Sequence, residues 1–347
     1  MQLYSHSLML KVAIIGASGF TGAELLRIAA QHPEYEVVMA TGDTQAGTRA
    51  ADLYPSLAAG YPDLVFDAFD PARLDGVDLA FLGLPHEASL DLAPQLVGRV
   101  RCVVDLSAAY RLKDASLYPR WYGFTHVQPA LLAEAVYGLP ETHRSELPGA
   151  RLVATPGCHV TAATLALAPL VRAGLIERTG VVVNSITGVS GAGRALKHSS
   201  QFSTVDEDVT AYGLLDHRHT PEIEQEVGAQ VLFTPHLAPM NRGILATCTA
   251  RPATAGLSTR MVLDTLRDAY AGEPFVVVTD GPPSTKATLG SNVAHVTARF
   301  DTRTGTVLAL CSIDNLAKGA SGGAVQAANV ALGLPETAGL SIVGVYP

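Results

Sequence analysis

The stretch Lys11-Val12-Ala13-Ile14-Ile15-Gly16-Ala17-Ser18-Gly19-Phe20-Thr21-Gly22 decides the fold. Its first half is a short apolar run that ends in glycine, the mark of a buried strand. The AELLRIAAQH that follows is apolar at helical spacing. Gly16, Gly19 and Gly22 stand at the strand-to-helix turn in a G-x-x-G-x-x-G spacing, with Ser18, Phe20 and Thr21 among them. Small residues there let backbone approach a pyrophosphate, whose charge meets the helix N-terminus. The strict G-x-G-x-x-G fingerprint is not met, because Ser18 replaces a glycine. The strand before and the helix after give the loop its meaning.

Working outward, EVVMAT (36–41), VDLAFLGLP (77–85), RCVVDLS (101–107) and RLVATP (151–156) read as further strands, and EASLDLAPQLVG as a helix between two of them. Strands alternating with helices imply a parallel sheet covered on both faces. The pattern changes near residue 157. A long helix is predicted over 159–173, and GVVVNSITGVSG, QVLFTPHLAP and GILATCTARP then read as strands. VAHVTARF and TVLALCSI flank DTRTG, a hairpin signal. STRMVLDTLRDAYAG is an amphipathic helix, FVVVTD a strand, and 321–334 a helix opened by glycines. The second half is therefore a mixed or antiparallel α+β domain. The expected division is a dinucleotide-binding domain over 1–157, completed by a terminal helix in 320–347, and a catalytic and oligomerisation domain over 158–319. Residues 1–8 read as a short extension, since Met9 equally suits the start of the first strand.

Composition sets bounds. The 347 residues are 48% hydrophobic and 16% charged, ordinary for a globular chain of about two domains. Lys and Arg number 24 against 32 Asp and Glu, a net charge of −8. That balance argues against general nucleic-acid binding, which recruits basic residues in excess, yet a small anion needs only a local cluster of cations. No run approaches the ~18 apolar residues of a membrane span, and MQLYSHSLML lacks the features of a secretory signal. The cysteines at 102, 158, 248 and 311 form no close pair, so no metal site is expected, and a reducing cytoplasmic setting fits.

Three of the four cysteines lie in apolar strand-like runs, where the residue is a small hydrophobe. Cys158 instead follows Thr155-Pro156-Gly157 and opens a helix. The helix dipole and free N–H groups there are expected to lower the thiol pKa and favour the nucleophilic thiolate. His217 and His219 flank Arg218 just before Pro221 in DHRHTPEIE, an acid/base and anion pattern. The second strand ends Met39-Ala40-Thr41-Gly42-Asp43. Neutral Thr41 and downstream Arg49 favour a 2′-phosphate and hence NADP, whereas Asp43 stands about where an NAD-type carboxylate would.

Taken together the motifs resemble the N-acetyl-γ-glutamyl-phosphate reductase family. They are GASGFTG, Leu84-Pro85-His86, Asp105-Leu106-Ser107-Ala108-Ala109-Tyr110-Arg111-Leu112, Tyr137-Gly138-Leu139-Pro140-Glu141, TPGC at 155–158, Gly188-Val189-Ser190-Gly191-Ala192-Gly193-Arg194, HRHTPEI, His236–Gly243 and Asp314–Ala324. The motifs keep their order over nearly the whole chain. Two departures stand out: Ala108-Ala109-Tyr110 where the family often has Ala-Asp-Phe, and His159 where it often has Tyr.

The resemblance implies a Rossmann-type α/β cofactor domain and an α+β catalytic domain of the glyceraldehyde-3-phosphate dehydrogenase type. It implies an acyl-phosphate substrate, a thioester on Cys158, and His217 as main base with His219 assisting, roles open to exchange. It offers Ser107, Arg111, Arg194, Lys197 and Arg242 as substrate contacts. It offers Pro85, His86, Ser190, Gly191, Asn315, Lys318, Gly319 and Gly322 as cofactor contacts. A dimer or tetramer is the family expectation. Rival readings are aspartate-semialdehyde dehydrogenase, the lysine-pathway aminoadipyl-phosphate reductase and a non-catalytic NADP sensor.

Overall fold

The computed structural model describes residues 9–347; the expected extension over 1–8 lies outside them. The first strands form as their composition dictates. Strands β1 (Leu10–Ile15), β2 (Tyr35–Ala40), β3 (Leu79–Leu82), β4 (Cys102–Asp105), β5 (Val136–Tyr137) and β6 (Leu152–Ala154) build one sheet in the order β2-β1-β3-β4-β6-β5. Every pairing in it is parallel, so its strands are apolar on both faces. The chain leaves β1 for β2 on one side and returns to β3 on the other. That reversal is the switch point where such sheets take ligands, beyond the carboxyl ends of the strands.

The glycine loop sits at that end of β1, and the helix Phe20–Ala29 starts from it. Gly16 has φ +89°, and a Cβ there would stand 2.4 Å from the Gly83 carbonyl oxygen, just past β3. At Gly22 a Cβ would meet Ala17 Cα at 2.4 Å. These two glycines let the loop fold flat between two strand ends.

A second sheet is mixed. It contains β7 (Val181–Gly188), β8 (Thr210–Ala211), β9 (Val231–Ala238), β10 (Ile244–Ala250), β11 (Val276–Val278), β12 (Ala294–Asp301) and β13 (Thr306–Ile313), ordered β11-β12-β13-β10-β7-β9-β8. β12 and β13 pair as the hairpin that DTRTG predicts. β7 and β9 are parallel, which makes the sheet mixed. The helix Cys158–Arg172 packs on this sheet and buries nearly every residue from His159 to Val171. Its Val, Leu and Ala side chains form one core with Val183, Phe233, Ala246 and Cys311 from the strands.

The chain divides into two units. One comprises the segment ending at Tyr110, Ala130–Thr155 and Ala324–Leu340; the other comprises Arg111–Pro129, Pro156–Gly323 and Ser341–Pro347. The expected boundaries shift by a few residues at 156–157 and 320–323, and two longer segments change unit. Arg111–Pro129 joins the second unit, where Lys113 N–H donates to Gln225 and Tyr122 O–H donates to the Arg218 carbonyl. Ser341–Pro347 also joins it, through Asn292 N–H to Ser341 and Val345 N–H to Leu289. Among the described residues no helix is long and apolar enough to cross a membrane.

Two glycines of similar φ separate strain from steric clash. Gly47 has φ +87° with open space around its Cα, so Gly47→Ala should lose about 1–2 kcal/mol from backbone strain alone. Gly16→Ala adds the collision with Gly83 and should lose more than about 3 kcal/mol. Urea unfolding of both variants measures the difference; equal losses would mean that the Gly16–Gly83 contact carries no weight.

Candidate active site

In the first unit, the loop after β1 is held from below. Gly16 N–H donates to Thr41 Oγ1 at 3.1 Å, Ala17 N–H to the Thr41 carbonyl, and Ser18 Oγ to the Gly42 carbonyl. Thr41 is buried, so it shapes the loop instead of displaying a hydroxyl at the strand end. Gly19 caps the Phe20–Ala29 helix and has no side chain to occupy its start, and a helix N-terminus of this kind suits a phosphate. Thr21 lies in that first turn. A cradle closed to any Cβ at Gly16 and Gly22, with a glycine-capped helix start beside it, fits a dinucleotide pyrophosphate.

Asp43, at φ +45°, and Arg49 are exposed beyond β2, with Arg49 donating to the Pro62 carbonyl. Pro85 precedes the helix His86–Leu96, and His86 Nδ1 accepts the Ala108 N–H. Ser107, expected at the substrate, is buried. Its hydroxyl donates to Asp105 and accepts the Ala109 N–H, so it builds the turn after β4.

The second unit contains Cys158, the expected nucleophile. Cys158 is the first residue of its helix and Gly157 the cap. A Cβ on Gly157 would stand 2.4 Å from His219 Nε2 and under 3 Å from two ring carbons. Only glycine there allows the imidazole to lie on the turn that carries the thiol. Gly157 N–H donates to Glu222 Oε1 at 2.9 Å. Glu222 is fully buried, with Oε2 at 3.6 Å from the Arg111 guanidinium. From the other side Gly319 approaches, where a Cβ would meet Cys158 Cβ at 2.9 Å.

The two histidines lie edge to face, 4.8 Å between centroids. His217 Nδ1 accepts the His219 N–H, so the neutral His217 ring carries its proton on Nε2. His219 Nδ1 is buried without a hydrogen-bond partner. Burial holds both imidazoles in the neutral form: it takes His217 down to about 4 and His219 well below its ordinary value.

The thiol moves opposite to the sequence expectation. Burial pushes Cys158 up to about 11, against the downward pull of the His159 and Cys158 N–H groups and of Arg111. Taking the sulfur out of water outweighs the helix N-terminus. The resting site thus holds a protonated thiol beside neutral imidazoles.

The remaining expected contacts divide sharply. Arg194 is partly buried, with an Nε that has no partner, and Lys197 is exposed. Arg242 donates through Nε and a terminal nitrogen to Asp314, a fully buried carboxylate that also accepts the Gly290, Leu316 and Ala317 N–H groups. Arg242 is thereby a strut of the fold. Asn315 is buried between the Gly243 N–H and Ser190 Oγ, and Gly191 packs by Thr187. Lys318, expected to touch cofactor, is only 1% exposed and lies over the Phe275 ring. Gly322 is a packing position, where a Cβ would meet Asn292 Oδ1 at 2.5 Å.

Sequence reading passed over Glu222 and Asp314. Glu222 lies inside the quoted HRHTPEI run, and its place one helical residue after Pro221 was the available signal. Among the described residues no group of three or more His, Cys, Asp or Glu could hold a metal ion.

A strand-loop-helix nucleotide cradle and a helix-start cysteine under an imidazole define the semialdehyde dehydrogenase class. Family models described as the semialdehyde dehydrogenase NAD binding domain and dimerisation domain match residues 11–150 and 158–315. The chain is 46% identical, over 97% of its length and 99% of the relative's, to the N-acetyl-gamma-glutamyl-phosphate reductase of Symbiobacterium thermophilum. It is 45% identical to that of Geobacter sulfurreducens, over 98% of the chain and all of the relative. The chain belongs to the N-acetyl-γ-glutamyl-phosphate reductase family. In fold it is similar to aspartate semialdehyde dehydrogenase II of Vibrio cholerae, solved in complex with ASA: TM-score 0.70, 16% identity, covering 93% of this chain and 98% of that one. It is also similar to the Candida albicans aspartate semialdehyde dehydrogenase solved with NADP: TM-score 0.68, 15% identity, with the same coverage.

A thiol with its pKa near 11 reacts through a small thiolate fraction that grows about tenfold per pH unit. Alkylation of Cys158 by iodoacetamide, followed by peptide mass spectrometry, should therefore rise steadily from pH 7 to 9.5. A plateau near neutral pH would mean a preformed thiolate.

Proposed function

We propose that this enzyme reduces N-acetyl-γ-glutamyl phosphate to N-acetyl-glutamate semialdehyde and phosphate, with NADPH, in arginine biosynthesis. The observation that carries the reading is the His219 ring seated on the Gly157 turn beneath Cys158, in a chain that matches reductases of that name from end to end.

His219 is the base. As the sulfur attacks the acyl carbon, the thiol proton passes to its imidazole, the S–C bond forms and the C–O bond to phosphate breaks. Proton transfer during attack suits a neutral pair, because neither ion stands alone in the buried site. His217, with its proton fixed on Nε2, is the donor to the developing oxygen anion, and the Cys158 N–H at the helix start can share that work. When bound, the reduced nicotinamide supplies the hydride that takes the acyl carbon to the aldehyde level. Cys158 then leaves and recovers its proton from His219.

The cofactor's pyrophosphate belongs at Gly16–Gly22. Thr41 in place of a carboxylate, with exposed Arg49 nearby, supports NADP over NAD, and Asp43 is the residue that would reverse the preference. Substrate anions fall to Arg111, Arg194 and Lys197, since guanidinium and ammonium match carboxylate and phosphate. Four free cysteines support a reducing, cytoplasmic setting.

The face of the second sheet that points away from the Cys158–Arg172 helix presents Val182, Ile186, Leu245, Leu308 and Leu310, none fully buried. A second copy of this chain covers it in our reading, and Leu310→Asp should shift light-scattering mass toward the monomer. An unchanged mass would place the interface elsewhere.

The decisive assay runs in reverse. N-acetyl-glutamate semialdehyde, phosphate and NADP should give NADPH with the native protein and at least 10³-fold less with Cys158→Ser, and NAD should serve poorly. Turnover of aspartate semialdehyde alone would replace the substrate; an active Cys158→Ser would end the thioester route.

A further inference from the structure

The residue after the nucleophile has more partners than its place in the helix requires. His159 is buried, with Nδ1 at 2.7 Å from Ser185 Oγ on β7 and Nε2 at 3.2 Å from the Tyr212 hydroxyl. Its ring centroid lies 5.8 Å from His219 and 6.0 Å from His217, and Phe233 of β9 meets it edge-on at 5.5 Å. Tyr212 also packs edge-on against His217 at 5.5 Å. One imidazole thus joins the nucleophile's helix, the sheet and the loop that carries both catalytic histidines.

We infer that Ser185, His159 and Tyr212 form a clamp that positions His217 and His219 over Cys158. The inference rests on the thioester reading above. The chemistry suits the task. A neutral imidazole has one N–H and one lone pair, whereas each hydroxyl can donate or accept. The clamp is therefore satisfied in two states: Ser185 donating to Nδ1 with Nε2–H donating to Tyr212, or the reverse. It stays satisfied without becoming charged, and burial, which takes His159 down to about 3, keeps it so. An uncharged positioning group leaves the adjoining imidazoles free to take the thiol proton, where a second imidazolium would repel it. His159 touches neither substrate nor reacting atom in this account; it acts through His217 and His219.

Steady-state kinetics on variants tests the clamp. His159→Phe keeps the ring volume and removes both hydrogen bonds. It should lower kcat about 10- to 100-fold, the scale of a small misplacement of catalytic groups, with KM for the acyl phosphate within about twofold. His159→Gln, whose amide can occupy the Nε2 position and bond Tyr212, should recover part of that loss. Tyr212→Phe should move kcat in the same direction, and the double variant should be no worse than His159→Phe alone, as for groups acting through one contact. Thermal unfolding and NADPH binding, run alongside, should stay near native for Tyr212→Phe. Native kcat in His159→Phe overturns the clamp, as does a strictly multiplicative double variant. If His159→Phe does not fold, Tyr212→Phe decides: native kcat there overturns the clamp too. A Cys158→Ser control keeps the two readings apart, because activity in that variant defeats the thioester, whereas an inert Cys158→Ser with an unaffected His159→Phe or Tyr212→Phe defeats only the clamp.

Discussion

One buried carboxylate organises the chemistry of the second unit. Glu222 takes the Gly157 N–H at the start of the nucleophile's helix and faces the Arg111 guanidinium. It lies on the Thr220–Val227 helix, three residues after His219. A single side chain therefore fixes the distance between the strand-end turn that presents Cys158 and the loop that presents the imidazoles. A fully buried ion of this kind is poorly compensated when its partner is lost, a loss worth about 3–5 kcal/mol for buried pairs. Retaining it makes sense as a device for register: a Leu or Met of similar size packs equally well but cannot tell the Gly157 N–H from any other surface.

The same burial sets the protonation pattern. Desolvation raises the thiol and lowers both histidines, so each change favours the uncharged species. A helix N-terminus in water would stabilise a standing thiolate; here it only moderates the desolvation. With the thiol raised to about 11, only a small fraction of Cys158 is thiolate at neutral pH. That suits an enzyme whose intermediate, a thioester, would be wasted by adventitious alkylation or oxidation of a free thiolate.

Much of the architecture was legible in the chain. β1 and its loop followed from an apolar run ending at Gly16, and the β12–β13 hairpin from DTRTG between two β-rich segments. The helix after Gly157 began within a residue of its expected start. Local periodicity carried those elements. What it did not carry was anything settled by long-range partners. The two-residue strands β5 and β8 have no periodicity to read. The thiol shift depends on desolvation by residues distant in sequence, which no window of sequence reports. Arg242 was expected at the substrate and Lys318 at the cofactor, yet one is tied to Asp314 and the other lies over Phe275. Motif position identified residues that matter without saying whether they matter to ligand or to fold.

That distinction resolves how an acidic protein can hold anions. Net charge describes the exterior, where screening weakens it within about 8–10 Å. In the proposed reading the cations that meet substrate are few, and one of them, Arg111, is placed by the buried carboxylate of Glu222. Pairing Arg111 with Glu222 does not exhaust a guanidinium, which has five donors in a fixed fork. At 3.6 Å the pair is longer than a hydrogen bond, and the carboxylate fixes where the fork stands. Arg194 meets the question from the other direction: its Nε is buried and has no partner, a state that is costly in isolation and that an arriving anion would relieve in the reading proposed above. In the proposed reading, an arginine placed by a carboxylate and another with an unmet donor supply the cations for substrate, which a charge of −8 over the whole chain does not reveal.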